Sequence, residues 1–221
     1  MLKENKKSEI HKGEKMINCI VTGVGGQGTV LASKLIAQSA MNKGMKVRTS
    51  ETIGMSQRGG GVVSHVRIGD EIHSPLININ SADVIIGFEP AEAVRYLPYL
   101  KEGGTVIVAN NPIKPVTDSL SDVDYNGSDM IKYLKDNVKH LFVLDAETVF
   151  VECGSAKVLN TALLGVTAAS GVLGFSMEEM EKSIHEKVRE KFIDMNIKAL
   201  HFGAETFLKQ RGENHESNSI E

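Results

Sequence analysis

The sequence predicts one α/β unit of Rossmann-like type, with a mostly parallel sheet, helices on both faces and a small antiparallel element. Three observations carry this expectation. A short apolar run, MINCIVT, passes through a glycine-rich turn, GVGGQG, into a helical pattern. Further apolar runs, DVIIGF, TVIVA and LFVL, recur along the chain with helical stretches between them. These runs are continuous rather than alternating, which is the pattern of strands buried on both faces.

Taken in order, residues 16–22 suit a buried strand, and Gly23 to Gly28 form the turn after it. Residues 29–43 carry Val30, Leu31, Leu35, Ile36 and Ala40 at helical spacing, and Gly44 ends the helix. Residues 45–49 read as a second strand, completing a βαβ unit. A glycine-rich loop at 51–61 precedes an alternating strand at 62–68, which places His65 and Arg67 on the wetter face. Gly69-Asp70 then predicts a hairpin into residues 71–74. Strands are expected at 83–88, 105–109 and 141–144, and helices at 90–100 and 129–138. Residues 160–173 are small and apolar almost all round, so this helix must be buried against the sheet or a partner. Asn160-Thr161 reads as its amino-terminal cap. Ser176 and Glu179 fit a capping box opening a charged helix to about residue 191, and a last helix spans about 194–210. Residues 1–15 read as a disordered leader, 16–210 as one folded domain and 211–221 as a flexible tail.

Composition narrows the function. Charged residues are 24%, hydrophobic residues 41% and the net charge is −3, so no basic excess suggests nucleic-acid binding. The chain has no tryptophan and only 5% aromatic residues, which offers no stacking platform for single strands. No apolar run approaches the ~18 residues of a membrane span. The amino terminus is polar, so a cytoplasmic location is expected. The two cysteines, Cys19 and Cys153, sit in apolar stretches that read as strand or strand edge, and as reduced packing residues. They cannot ligate a 4Fe–4S cluster, which takes about four thiolates. His73, His140, His185 and His201 lack partners at metal spacing, so no metal is assigned to this chain.

The turn Gly23-x-Gly25-x-x-Gly28 stands where a dinucleotide fingerprint would, between a strand and a helix. Glycine there permits a tight turn and lets a phosphate reach N–H groups at a helix amino terminus. Glu51, near the end of the second strand, is the candidate for a ribose hydroxyl. The competing reading is close strand–helix packing with no nucleotide. Two details favour it: Glu51 comes late, after Arg48-Thr49-Ser50, and a second glycine loop, Arg58-Gly59-Gly60-Gly61, has no place in the simple fingerprint.

The run from GVGGQGTVLASKLIAQSAMNKG through ETIGMSQRGGGVVSHVRIGD closely resembles the gamma-type component of 2-oxoacid:ferredoxin oxidoreductases, and within that family the indolepyruvate type. The likeness continues through DVIIGFEPAEAVR, GGTVIVANNP, GSAKVLNTALLGVTAA and NIKALHFGAE, covering about residues 16–210. The resemblance implies a subunit of a complex that oxidatively decarboxylates a 2-oxoacid, of indolepyruvate or arylpyruvate class, to an acyl-CoA. It implies thiamine diphosphate, magnesium and 4Fe–4S clusters on a larger alpha partner, with coenzyme A and ferredoxin as co-substrates and no cofactor on this chain. It also implies that this chain is inactive alone. A homodimer is compatible with an isolated copy, whose apolar interface would be uncovered.

Within that frame Arg58 is the side chain suited to a substrate carboxylate, a coenzyme A phosphate or an acidic partner surface, against capping carbonyls or lying in solvent. Glu51 and Arg58 are the catalytic candidates. Glu51 reads as a base, a loop-fixing acceptor or a partner contact, the last two favoured. Gly23, Gly25, Gly26, Gln27, Gly28, Gln57, Arg58, Gly59 and Gly60 are the loop positions expected to face the partner or the cleft. Gln27 has two open readings, contact to a ligand or a tie between its loop and a neighbour. His65 reads as a satisfied structural histidine rather than a cleft residue.

Overall fold

The computed structural model describes residues 16–52, 60–114 and 125–217. Of the expectations above, the leader, Gln57, Arg58, Gly59 and residues 218–221 lie outside the described residues. Six strands form one sheet: β1 (Ile17–Val24), β2 (Val47–Thr52), β3 (Gly61–Ile68), β4 (Ala82–Gly87), β5 (Leu100–Asn110) and β6 (His140–Asp145), in the order β2-β3-β1-β4-β5-β6. β1, β4, β5 and β6 run parallel, and β3 is antiparallel to both β1 and β2. The Rossmann-like, mostly parallel sheet expected from the sequence is therefore present.

The helices are α1 (Thr29–Asn42), α2 (Pro90–Arg95), α3 (Ser128–Asn137), α4 (Ala146–Cys153), α5 (Leu159–Ser170), α6 (Met177–Lys187) and α7 (Ile193–Ser217). They cover the sheet unequally. On one face Cys19, Val21, Val84, Ile86 and Ile107 pack against α1 and α4 to α7. On the other, Ile20, Ile85, Val106 and Val108 meet Ala93 of α2 and Leu134 of α3. Adjacent residues of one strand thus enter opposite cores, which is why the strands read as unbroken apolar runs.

The antiparallel element is not where Gly69-Asp70 pointed. Residues 71–74 form no strand. β3 already has a neighbour on each side, so no edge is left for a hairpin partner. Arg67 instead holds that segment, donating to the carbonyls of Ser74 (2.9 Å) and Leu76 (3.2 Å). β1, α1 and β2 follow one another as expected, but β3 is inserted between the two strands. The α-helix expected at 90–100 stops at Arg95; a 3-10 turn at Leu97–Tyr99, where Pro98 lacks the N–H that an α-helix would need, leads into β5 at Leu100. α4 was not foreseen, and it puts Cys153 on a helix rather than a strand. Its β-branched content hides it, whereas its cap was readable: Asp145 accepts from the Thr148 amide at 3.0 Å. α7 continues beyond residue 210 to Ser217.

α5 is buried from Leu159 to Thr167, as its all-round apolar surface requires. Its contact with α7 is backbone on backbone. A Cβ on Gly165 would lie 1.9 Å from the Leu200 carbonyl oxygen, and one on Gly203 would lie 1.9 Å from that of Ala162. Only glycine permits this approach. The capping box of α6 is formed, with Ser176 and Glu179 each bonding the other's amide. Among the described residues no single helix is long and apolar enough to cross a membrane.

Gly203→Ala is expected to lower the unfolding free energy by about 1–3 kcal/mol, read from denaturant titration. Gly212→Ala, where an added Cβ meets nothing within 4 Å, should not destabilise the chain.

Candidate functional site

Connections leave β1 and β4 in opposite directions, one through α1 toward β2 and the other through α2 toward β5. Their carboxyl ends therefore border the topological switch point, where α/β sheets bind ligands. The glycine turn lies at this crevice. Because β3 is antiparallel, its first residues lie there too: Gly61 stands opposite Val24. Gly60 accepts a hydrogen bond from the Gly25 amide at 3.0 Å. Gly23, Gly25, Gly26, Gln27, Gly28 and Gly60 are thus gathered at one end of the sheet.

The turn is wired to the protein's own backbone. Gln27 Oε1 accepts from the Val24 amide at 2.6 Å, and its Nε2 donates to the Phe88 carbonyl at 2.9 Å. Gln27 thus joins the end of β1 to the end of β4. Gly23 leaves the room this requires, since a Cβ there would meet Gln27 Oε1 at 2.6 Å and Phe88 Cβ at 3.0 Å. Gly26 and Gly28 adopt φ of 99° and 85°, a region costly for other residues. Asn160 packs against Gly28 and donates to its carbonyl at 3.4 Å. It is not the cap of α5, which begins one residue earlier, but a strut between α5 and the turn.

Two features separate this crevice from a simple dinucleotide site. The Gly25 amide, part of the nest that would receive a phosphate, is already bonded to Gly60. Glu51 lies on β2, one strand removed from β1, where its Oε1 accepts from Ser33 Oγ of α1 at 3.1 Å. That bond links α1 to β2. Arg58, the other catalytic candidate, lies outside the described residues.

Side chains not singled out from the sequence complete the crevice. Glu89 and Glu92 are buried at the carboxyl end of β4 and the start of α2. Glu89 Oε2 accepts from the Glu92 amide at 2.9 Å, and Glu89 Oε1 accepts from the Tyr125 hydroxyl. The Glu92 carboxylate lies where a Cβ on Gly61 would be, 2.6 Å from Oε2. Its Oε1 accepts from Arg95 Nε at 3.2 Å, while Oε2 has no hydrogen-bond partner among the described residues. Burial pushes the Glu92 carboxyl above its usual range; Arg95 opposes this and Glu89 adds to it. Burial and the bond to Glu89 likewise push the Tyr125 phenol up. A sequence signal existed: an acidic residue directly after the buried run DVIIGF, repeated three positions on.

His65 faces the α2 and α3 side, buried rather than wet. Its Nδ1 accepts from the Ile77 amide at 3.2 Å, and its ring meets Tyr99 edge-on at 5.9 Å. Arg67 donates to Asn18 at 2.9 Å. Both are structural, as favoured for His65. Cys19 is fully buried, and desolvation drives its thiol far above the usual range. Together with Cys153 in the same core it makes no cluster-ligand set.

The model of the family described as pyruvate ferredoxin/flavodoxin oxidoreductase matches residues 18–206. A curated relative from Pyrococcus horikoshii, indolepyruvate oxidoreductase subunit IorB, is 38% identical over 86% of this chain and 95% of its own. The gamma subunit of a keto/oxoacid ferredoxin oxidoreductase from Geobacter sulfurreducens superposes with a TM-score of 0.62 at 25% identity, covering 87% of this chain and 99% of that one. The 2-oxoglutarate:ferredoxin oxidoreductase of Magnetococcus marinus, solved with 2-oxoglutarate, coenzyme A and succinyl-CoA, shares the fold at a TM-score of 0.64 and 19% identity. The match there covers 89% of this chain and 32% of the longer one.

Gln27→Ala should cost about 1–3 kcal/mol of stability by leaving the Val24 amide and Phe88 carbonyl unpaired, measured by urea unfolding. Burial holds the His65 imidazole below its usual range. Below the unfolded value of ~6.5 the unfolded chain therefore binds the extra proton, and stability falls as pH drops through that window. The pH slope of stability there is expected to be smaller in His65→Gln, which stays neutral throughout.

Proposed function

Because this chain belongs to the pyruvate ferredoxin/flavodoxin oxidoreductase family, we propose that it is the gamma-type subunit of a ferredoxin-dependent oxidoreductase acting on indolepyruvate or related arylpyruvates. In this reading it packs on a larger subunit bearing thiamine diphosphate, magnesium and 4Fe–4S clusters. There the 2-oxoacid loses carbon dioxide, its acyl group passes to coenzyme A, and two electrons leave through the clusters to ferredoxin. This chain supplies positioning rather than redox chemistry.

The observation that carries the reading is the closed wiring of the switch-point crevice. Gly60 and Gln27 take up the Gly25 and Val24 amides, and Asn160 braces the Gly28 carbonyl, so the turn is held by the chain's own groups. Rigid glycine surfaces suit a neighbour's backbone approaching closely. Thr52 and Gly60 flank residues 53–59, and both lie at the crevice end of the sheet. Gln57, Arg58 and Gly59 fall between those anchors, so Arg58 is our candidate for meeting a carboxylate or phosphate held by the partner. That similar chains are named as subunits, IorB from P. horikoshii and the gamma subunit from G. sulfurreducens, supports a dependent role.

The test is reconstitution. The isolated chain is expected to show no thiamine-dependent oxidation of indolepyruvate, and one-to-one addition of the larger subunit should restore coenzyme A-dependent ferredoxin reduction. Turnover by the isolated chain would overturn dependence, and full turnover by the larger subunit alone would make this chain an assembly factor. In the reconstituted enzyme, Arg58→Ala should lower kcat/KM roughly tenfold to a hundredfold, the worth of one charged hydrogen bond.

A further inference from the structure

The sheet ends at β6, which pairs with β5 on one side only. Its other edge presents a row of backbone N–H and C=O groups, and among the described residues no backbone bond covers them. A groove runs along this edge on each face of the sheet. The one beside α5 and α7 has a volume of about 390 Å³ and includes Ile107, Phe142 and Phe207. The one beside α3 has a volume of about 360 Å³ and includes Val138, Leu141 and Val143. Lys139, Leu141 and Gln210 line both, so the grooves join around the strand.

Their charge is one-sided. Lys135, Lys139, His140 and Arg211 line the grooves and no carboxylate does. Among the described residues, Lys135, Lys139 and Arg211 have no ion-pair partner. Lys139 and His140 lie at the amino end of β6, with the apolar positions following. This edge is two strands from β4, and its cationic end is opposite to the crevice end of the sheet.

We propose that β6 accepts an extended acidic segment of a partner chain as an added strand. Side chains alternate between the faces of a strand, so the apolar residues of such a segment enter the two grooves in turn. Its backbone completes the ladder on β6, and its carboxylates meet Lys139, His140 and Arg211. A small anion would use one groove and leave the other, together with the strand edge, without a role. Strand addition uses all three.

The test uses the full chain and a fluorescein-labelled octapeptide of four consecutive valines flanked on each side by two glutamates, so that successive valines point to opposite faces. Binding followed by anisotropy at low salt is expected, with slower hydrogen exchange of the β6 amides. The exposed double substitution Lys139→Glu/Arg211→Glu should weaken it at least roughly tenfold, about 1.4 kcal/mol. Lys187→Glu/Lys191→Glu, on a different helix end, should not. Equal binding of the matching valine–lysine peptide, binding unaffected by the Lys139/Arg211 change, or binding without protection of β6 would overturn the proposal. So would absence of binding at millimolar peptide; the edge cations would then serve only to keep β6 from pairing.

Discussion

The Gln27 amide is the tie on which the crevice depends. Parallel strands diverge where their connections part, and the backbone groups at their ends are left without ladder partners. One side chain meets that need on both sides, accepting from Val24 at the end of β1 and donating to Phe88 beyond β4. This fixes the requirements around it. Gly23 must lack a Cβ, Gly28 must adopt a left-handed conformation to start α1, and Phe88 must be held by its own amide bond to Thr22 at 2.8 Å. Two amides of this turn, those of Val24 and Gly25, are taken up by groups of the same chain.

The second constraint is the insertion of β3. By pairing with both β1 and β2 it carries Gly60 and Gly61 to the end of β1 and moves Glu51 one strand away. The same insertion leaves Glu92 against Gly61, where burial pushes its carboxyl above the usual range. Burying Glu89 and Glu92 together costs stability, and the Tyr125 hydroxyl, the helix-capping bond and Arg95 offset part of that cost. Behind the sheet, α5 and α7 approach so closely through Gly165 and Gly203 that the helical layer is set by backbone contact rather than side-chain fit.

Much of this architecture was legible in the residues. Continuous apolar runs identified buried parallel strands, because both faces of the sheet are covered. Ser176 and Glu179 announced α6 through local chemistry alone. The glycine spacing located the turn, since only glycine tolerates those backbone angles. The long, ordered likeness to gamma-type components located the family. Local signals failed where partners are distant in sequence: Asn160 looked like a helix cap but serves Gly28, 132 residues earlier. Gly69 looked like a hairpin turn, but its neighbouring strand was already paired on both sides.

What the sequence by itself determined is therefore the kind of elements, their order and the chemistry of the turn, each governed by residues within a few positions of one another. Tertiary structure alone decided which strand lies beside which. It also decided that Gln27 links the ends of β1 and β4, that Glu89 and Glu92 share the crevice, and that Lys135, Lys139 and Arg211 gather at a free edge. The physical reason is that these depend on hydrogen-bond completion and burial across the sheet, which no local pattern records.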